Sequence, residues 1–146
     1  MLVCAPILGT LWYFLAPRVA LHKVEGGLSF VDAQPSGFIA ADSVFALLAL
    51  VLGLVAAIVV WRSLAPPRGW TLSLGLALGG VVASILAWRI GLAWQPTNLI
   101  DLAQGLPLGS VSNAPIKLEA PGFLVALPVA ATSAIAIALA WSEDPR

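Results

Sequence analysis

Charge is scarce in this sequence. Only 10% of the 146 residues are charged, and the seven basic side chains balance the seven acidic ones without a run of either sign. Soluble domains carry about a quarter charged residues, and a nucleic-acid-binding surface needs a basic patch that neutralises phosphates. The scarcity therefore excludes an ordinary soluble domain, and it predicts that nucleic acid is not a partner.

Side chains that carry chemistry are equally scarce. The chain has one cysteine, Cys4, and one histidine, His22, so neither an internal disulfide nor a Cys/His metal cluster is expected. No GxSxG, HExxH, CxxC or P-loop pattern occurs. No acidic or histidine residue lies in the middle of an apolar run, as proton-coupled carriers require. We therefore predict no catalytic residue, no metal and no cofactor, and a function other than catalysis.

Long apolar runs are what the sequence has. It is 60% hydrophobic, with a mean hydropathy of +1.00. The run from Trp70 to Trp94 is 25 residues long and holds one charge, Arg89. At about 1.5 Å per residue, such a helix crosses a hydrocarbon core of roughly 30 Å, and tryptophan at each end suits the headgroup zone. This run predicts a membrane-spanning helix.

Three further runs have the same character. The predicted fold is an all-α membrane protein: one transmembrane domain over residues 1–146, with spans at about 2–17, 43–61, 70–94 and 123–141 forming a four-helix bundle. The first span is short. We expect it either to tilt little or to continue into residues upstream of Met1 in the natural chain.

Small residues recur at helical spacing on two of these spans. Such residues let helices approach backbone to backbone, the main attraction available where lipid is as apolar as leucine. They predict helix-packing faces on spans three and four, at Gly75, Gly79, Gly80, Ala83, Ala126, Ala130 and Ala134.

Two polar excursions, residues 18–41 and 95–121, separate the spans. Two β-prone runs, 19–24 and 28–31, flank the pair Gly26-Gly27 and predict a β-hairpin. Residues 114–119 alternate apolar and polar side chains and predict another strand. We expect a small extracytoplasmic sheet that joins both loops and leaves an edge strand for a partner, or else simply covers the bundle.

Orientation follows from positive charge. The eight-residue connector between spans two and three holds Arg62 and Arg68, the highest density of basic residues outside the spans. Basic residues are enriched in cytoplasmic loops. We therefore predict a multi-pass plasma-membrane protein with both termini in the cytoplasm.

Three charged residues near the outer ends of the spans are the candidate binding residues. Asp42, with Ser43, is expected to cap the start of span two. Arg89 is expected either to pair with Asp42 or to extend to the interface. A sharper alternative is a basic pocket of Arg18 and Arg89 that holds a lipid phosphate or an anionic substrate.

Four runs carry a resemblance to a known family: LAPRV (15–19), DSVFALL (42–48), LAWRIGL (86–92) and APIKLEAPGFLVALP (114–128). They resemble small actinobacterial four-span membrane proteins of unassigned function. The resemblance implies an actinobacterial plasma membrane, four spans and two outer loops, and it brings no catalytic residues.

Three functions stay open on this sequence. The first is an accessory, assembly or interaction protein that binds another membrane protein through its small-residue faces and outer loops. The second is a self-associating subunit of an oligomeric channel or transporter. The third is a protein that binds or processes envelope lipids through Arg18 and Arg89.

Overall fold

The computed structural model describes residues 1–25, 27–30, 36–63, 70–95 and 107–142. Four α-helices lie in these ranges: α1 (Cys4–Leu15), α2 (Gly37–Ser63), α3 (Trp70–Ala93) and α4 (Ala126–Ser142). A 3₁₀ turn, Pro121–Val125, leads directly into α4. Three short strands are β1 (Ala20–Val24), β2 (Gly27–Phe30) and β3 (Val111–Asn113).

Three of the helical segments are long and apolar enough to cross a membrane: Gly37–Ser63, Trp70–Ala93 and Pro121–Trp141. The most apolar window of α2 has a mean hydropathy of 3.0, yet only 22% of it is buried inside the protein. A helix that is apolar on every side and mostly uncovered needs an apolar surrounding. The fold is consistent with a membrane protein.

The first predicted span, at about residues 2–17, is the one that the structure does not reproduce at the length of a span. Helix α1 has 12 residues, which is roughly 18 Å at about 1.5 Å per residue and shorter than a hydrocarbon core of about 30 Å. It ends before Pro17, which disfavours helical conformation in the residue preceding it. The four-helix arrangement is present, but only three of its helices have the length of a span.

The helices pack so that α1 and α4 each contact both α2 and α3. Helix α1 runs parallel to α3, because Gly9 lies against Ala87 and Trp12 lies against Gly91. Helix α4 runs parallel to α2, with Leu127 beside Gly53. The largest fully buried side chains are those of Trp12, Phe45, Leu8, Leu127 and Ile135.

The three strands form one antiparallel sheet in the order β2-β1-β3. The hairpin of β1 and β2 pairs Leu21 with Phe30 and His22 with Ser29. Strand β3 adds to the other side of β1, with Ser112 opposite Leu21. The expected small sheet joining both loops is therefore present. We call this end of the bundle the cap end, and the opposite end, where α2 ends and α3 begins, the connector end.

Two local expectations are wrong. The strand predicted at 114–119 lies earlier, at Val111–Asn113, because alternation reports which side chains are buried and not which backbone groups pair. Helix α2 begins at Gly37, six residues before the expected start of span two, because apolar residues already precede Asp42. Asp42 therefore lies in the second turn of α2 and does not cap it.

Candidate functional site

The described polar contacts concentrate at the cap end, around residues 114–120. The segment is extended, with Ala114, Ile116 and Leu118 buried and Lys117 and Glu119 exposed on its other side, where they form an ion pair of 3.1 Å. It crosses from the sheet to the start of the last helix. We call residues 114–120 the cap segment.

Gln95, just after α3, holds the middle of the cap segment. Its side-chain amide donates to the carbonyl of Ile116 at 2.7 Å, and its carbonyl oxygen accepts the N–H of Ile116 at 2.7 Å. The side chain thus supplies both hydrogen bonds that a neighbouring strand would make. This is why the alternating residues need no strand partner at Ile116.

Asp42 holds the end of the cap segment. Its side chain is buried, and its two oxygens accept the N–H groups of Glu119 at 3.1 Å and Ala120 at 2.8 Å. Ala120 is the residue that precedes the 3₁₀ turn. A carboxylate is favourable at a helix N-terminus, where backbone N–H groups lack intrahelical partners. Asp42 of α2 therefore caps the entry to the last helix across the bundle.

Trp12 joins three helices below the cap segment. Its indole N–H donates to the carbonyl of Ala41 at 2.9 Å. Its ring meets the ring of Phe45 edge-on, with centroids 5.3 Å apart, and lies against Gly91. Even a methyl group on Gly91 would be 2.6 Å from the indole ring. The glycine is what admits tryptophan between α1 and α3.

The candidate basic residues lie on the surface beside aromatic rings. The guanidinium of Arg18 is 4.9 Å from the centroid of Tyr13, and that of Arg89 is 5.5 Å from Trp88. Both arginines are exposed. These are cation–π distances, at which the ring face attracts the positive charge. Within the described ranges, no polar contact joins Arg18 to Arg89.

The expected ion pair between Arg89 and Asp42 is not formed among the residues that the structure describes. Both oxygens of Asp42 are already bonded to backbone N–H groups, and Arg89 is on the exposed face of α3. The other expectation for Arg89, a side chain that extends to the membrane interface, stays a prediction.

Only some of the residues on the predicted small-residue faces contact the rest of the bundle. A Cβ on Gly80 would be 2.8 Å from Pro128, and one on Gly79 would be 3.2 Å from Met1, whereas Gly75 has nothing within 4 Å. Successive fourth residues drift about 40° around a helix, so the row that includes Gly75 turns away from the bundle. Of the other predicted packing residues, Ala83 is buried, and Ala126, Ala130 and Ala134 are half-buried.

Three glycines outside those predicted faces make the closest approaches. A Cβ on Gly9 would be 2.5 Å from the carbonyl oxygen of Ala87, and one on Gly53 would be 2.5 Å from that of Leu127. Gly91 has its contact with Trp12. Isolated glycines in apolar helices are the signal that points to such sites, because glycine costs helix stability and needs a packing reason.

The described residues contain no group of three or more His, Cys, Asp or Glu side chains placed to hold a metal ion. The buried side chains of Trp12 and Asp42 and the part-buried side chain of Gln95 all bind backbone groups. These hydrogen bonds hold the backbone of the cap end in one conformation, and they therefore fix the shape of its surface.

No known protein family matches this chain, no curated protein matches its sequence, and no solved structure matches its fold. The resemblance noted in four short runs of the sequence therefore stays a prediction. So does the assignment of Arg18, Arg89 and Asp42 to ligand binding.

Proposed function

We propose that this chain is a four-span plasma-membrane protein that acts without catalysis, as an accessory or assembly protein that binds another membrane protein. One observation carries the proposal. The polar side chains of Asp42, Gln95 and Trp12 hold the backbone of the cap end in place. A surface fixed in this way suits recognition, because a binding surface gains affinity when its ordering cost has already been met.

The exposed surface of the cap end supports the same proposal. Strand β3 is at one side of the sheet, and its Val111 is 59% exposed. A strand edge can add a strand from a partner through backbone hydrogen bonds. We propose that the partner contacts this edge and the adjoining helix surface.

Photo-crosslinking in native membranes tests the proposal. A photoreactive amino acid at Val111 should capture one stoichiometric foreign membrane protein. The same group at Leu8, which is fully buried, should capture none and serves as the matched control. Capture of only further copies of this chain would instead favour a self-associating channel or transporter subunit.

Topology is a separate part of the proposal. Helix α1 is proposed to be a span in addition to the three long helical segments, since it is apolar and packs parallel to α3. Both termini are proposed to be cytoplasmic. A tag between Trp61 and Trp70 should be protected from outside protease, and a tag near Gly26 should be cleaved. Tags that behave alike would overturn this topology.

A lipid-binding role is the second candidate, favoured by the exposed arginines and aromatic rings at the cap end. Arg18 over Tyr13 and Arg89 over Trp88 combine a cation with rings that prefer the headgroup zone. Reversing charge with Arg89→Glu should then lower lipid binding with little change in stability. A loss of stability without loss of lipid would contradict this role.

A further inference from the structure

A groove lies between the connector-end halves of α2 and α4. Its volume is about 260 Å³, and alanines of both helices line it: Ala57, Ala134 and Ala138. One turn before Ala57, Gly53 lies against the backbone of Leu127, so the helices touch there. Beyond that contact, the alanine side chains are too small to fill the space between α2 and α4.

The groove is apolar along its length and cationic at one end. Ile58 and Ile135 line its sides, and Trp61 and Arg62 line it in the last turn of α2. Arg62 is exposed, and its guanidinium makes no ion pair with the described part of the chain. The apolar groove thus ends at an exposed positive charge.

This combination matches the chemistry of an anionic phospholipid, in which a phosphate lies next to acyl chains. Basic pockets between membrane helices bind anionic headgroups, and tryptophan prefers the headgroup level. The groove is smaller than the pockets of about 300–1,000 Å³ that hold drug-sized molecules, so it favours a slender apolar chain over a bulkier ligand. A helix is a poorer occupant, because it is roughly 10 Å across with its side chains.

We propose that this groove binds one acyl chain of an anionic phospholipid and that Arg62 holds its phosphate. The site is at the opposite end of the bundle from the partner surface proposed above. It rests on the protein lying in a membrane and not on the identity of any partner, so the two proposals fail separately.

Native mass spectrometry of the full chain in detergent tests the site. Phosphatidylglycerol and phosphatidylcholine of equal chain length are titrated, and bound lipids are counted. The unaltered chain should prefer phosphatidylglycerol. Arg62→Gln should reduce that preference about five-fold, the effect of one basic residue beside a headgroup, and Arg62→Lys should keep it. Lys117→Gln, which removes the same charge at the cap end, is the control.

A substitution that fills the groove tests whether an acyl chain binds there. Ala138→Phe should abolish binding of one lipid of either type, whereas Ala136→Phe, on the exposed face of α4, should leave it intact. An Arg62→Gln chain with unchanged preference overturns the proposal. So does an equal effect of the two phenylalanine substitutions, or a change in the number of protein copies with Ala138→Phe, which would mean that a second chain fills the groove. The arginine variants decide alone if Ala138→Phe prevents folding.

Discussion

The two ends of the bundle are held together by different interactions. At the cap end, Trp12, Asp42 and Gln95 hydrogen-bond to backbone groups far away in the chain. Towards the connector end, α2 and α4 meet through Gly53 and alanines, and a groove remains between them. Hydrogen bonds fix one relative position, whereas small side chains allow a close approach without specifying a unique one. The cap end is therefore the better-defined surface and the connector end the more adaptable one.

Trp12→Ala should have the largest effect on stability, and it acts at the cap end. We expect a loss of about 3–5 kcal/mol in the free energy of unfolding, because a fully buried indole would leave a cavity among three helices. Unfolding in a detergent mixture measures the loss. Trp141→Ala, at a position 82% exposed, should cost almost nothing, and equal losses would contradict the assignment of Trp12 to the core.

Asp42→Asn should have the next largest effect. An amide accepts hydrogen bonds through only one oxygen, so one N–H of the pair Glu119 and Ala120 loses its partner. We expect a loss of about 1.5–3 kcal/mol, the range for hydrogen bonds to charged groups. Hydrogen exchange should quicken at the cap segment and stay unchanged in the connector-end half of α2. Glu119→Gln, which changes an exposed carboxylate, is the control and should leave exchange unaltered.

Gly53→Val should act at the other half of the molecule. Its Cβ would lie 2.5 Å from the carbonyl oxygen of Leu127, so α2 and α4 must separate. Overpacking of this kind costs about 1–3 kcal/mol. Exchange should now quicken along α4 while the Asp42 contacts persist. Quickening that begins at the cap segment would show that the two ends are not independent.

Gln95→Leu removes the second anchor of the cap segment. Both hydrogen bonds to Ile116 disappear, and each part-buried bond contributes about 0.5–1.5 kcal/mol. We expect a loss of about 1–3 kcal/mol in the free energy of unfolding for the two bonds together, close to the loss from Gly53→Val. A double variant of Gln95 and Asp42 should lose less than the sum of the two single losses if the cap segment is held as one unit, because the first substitution already releases the segment. Strict additivity would mean that the two anchors act separately.

Gly75→Ala should have the smallest effect and the opposite sign. A Cβ there has nothing within 4 Å, and alanine is favoured over glycine in a helix by roughly 0.5–1 kcal/mol. We expect a small rise in the temperature of unfolding. A loss would mean that a partner covers this face in the membrane.

The apolar length of the sequence predicts four spans, and three of them are present as helical segments long enough to cross a membrane. Its β-prone runs predict the sheet that joins the loops. What it could not predict were the partners of individual polar groups. The alternation at 114–119 correctly marks Ala114, Ile116 and Leu118 as buried, but nothing local indicates that Gln95 takes the place of a strand. Asp42 has the residue type of a helix cap, and only the tertiary fold determines that it caps the last helix.

The regular spacing of glycines was a partial guide to packing. Gly79 and Gly80 lie on the bundle side of α3, but Gly75 does not, since its row turns about 80° over eight residues. The decisive contacts come instead from Gly9, Gly53 and Gly91, none of which belongs to a repeated motif. A close approach depends on the position along each helix at which the two helices meet, and the sequence of one helix alone does not determine that position.

The strand order has a consequence for biosynthesis. Strand β1 lies between β2, which follows it almost at once, and β3, which is synthesised only after α2 and α3. In the topology proposed for this chain, the hairpin therefore waits on its own side of the membrane while two more helices insert. In that proposed topology, one flank of β1 stays unpaired until residue 113 has crossed the membrane. A nascent chain stalled before that point should therefore be a preferred substrate for membrane chaperones and proteases. Ribosome profiling with crosslinking of stalled chains would detect such capture.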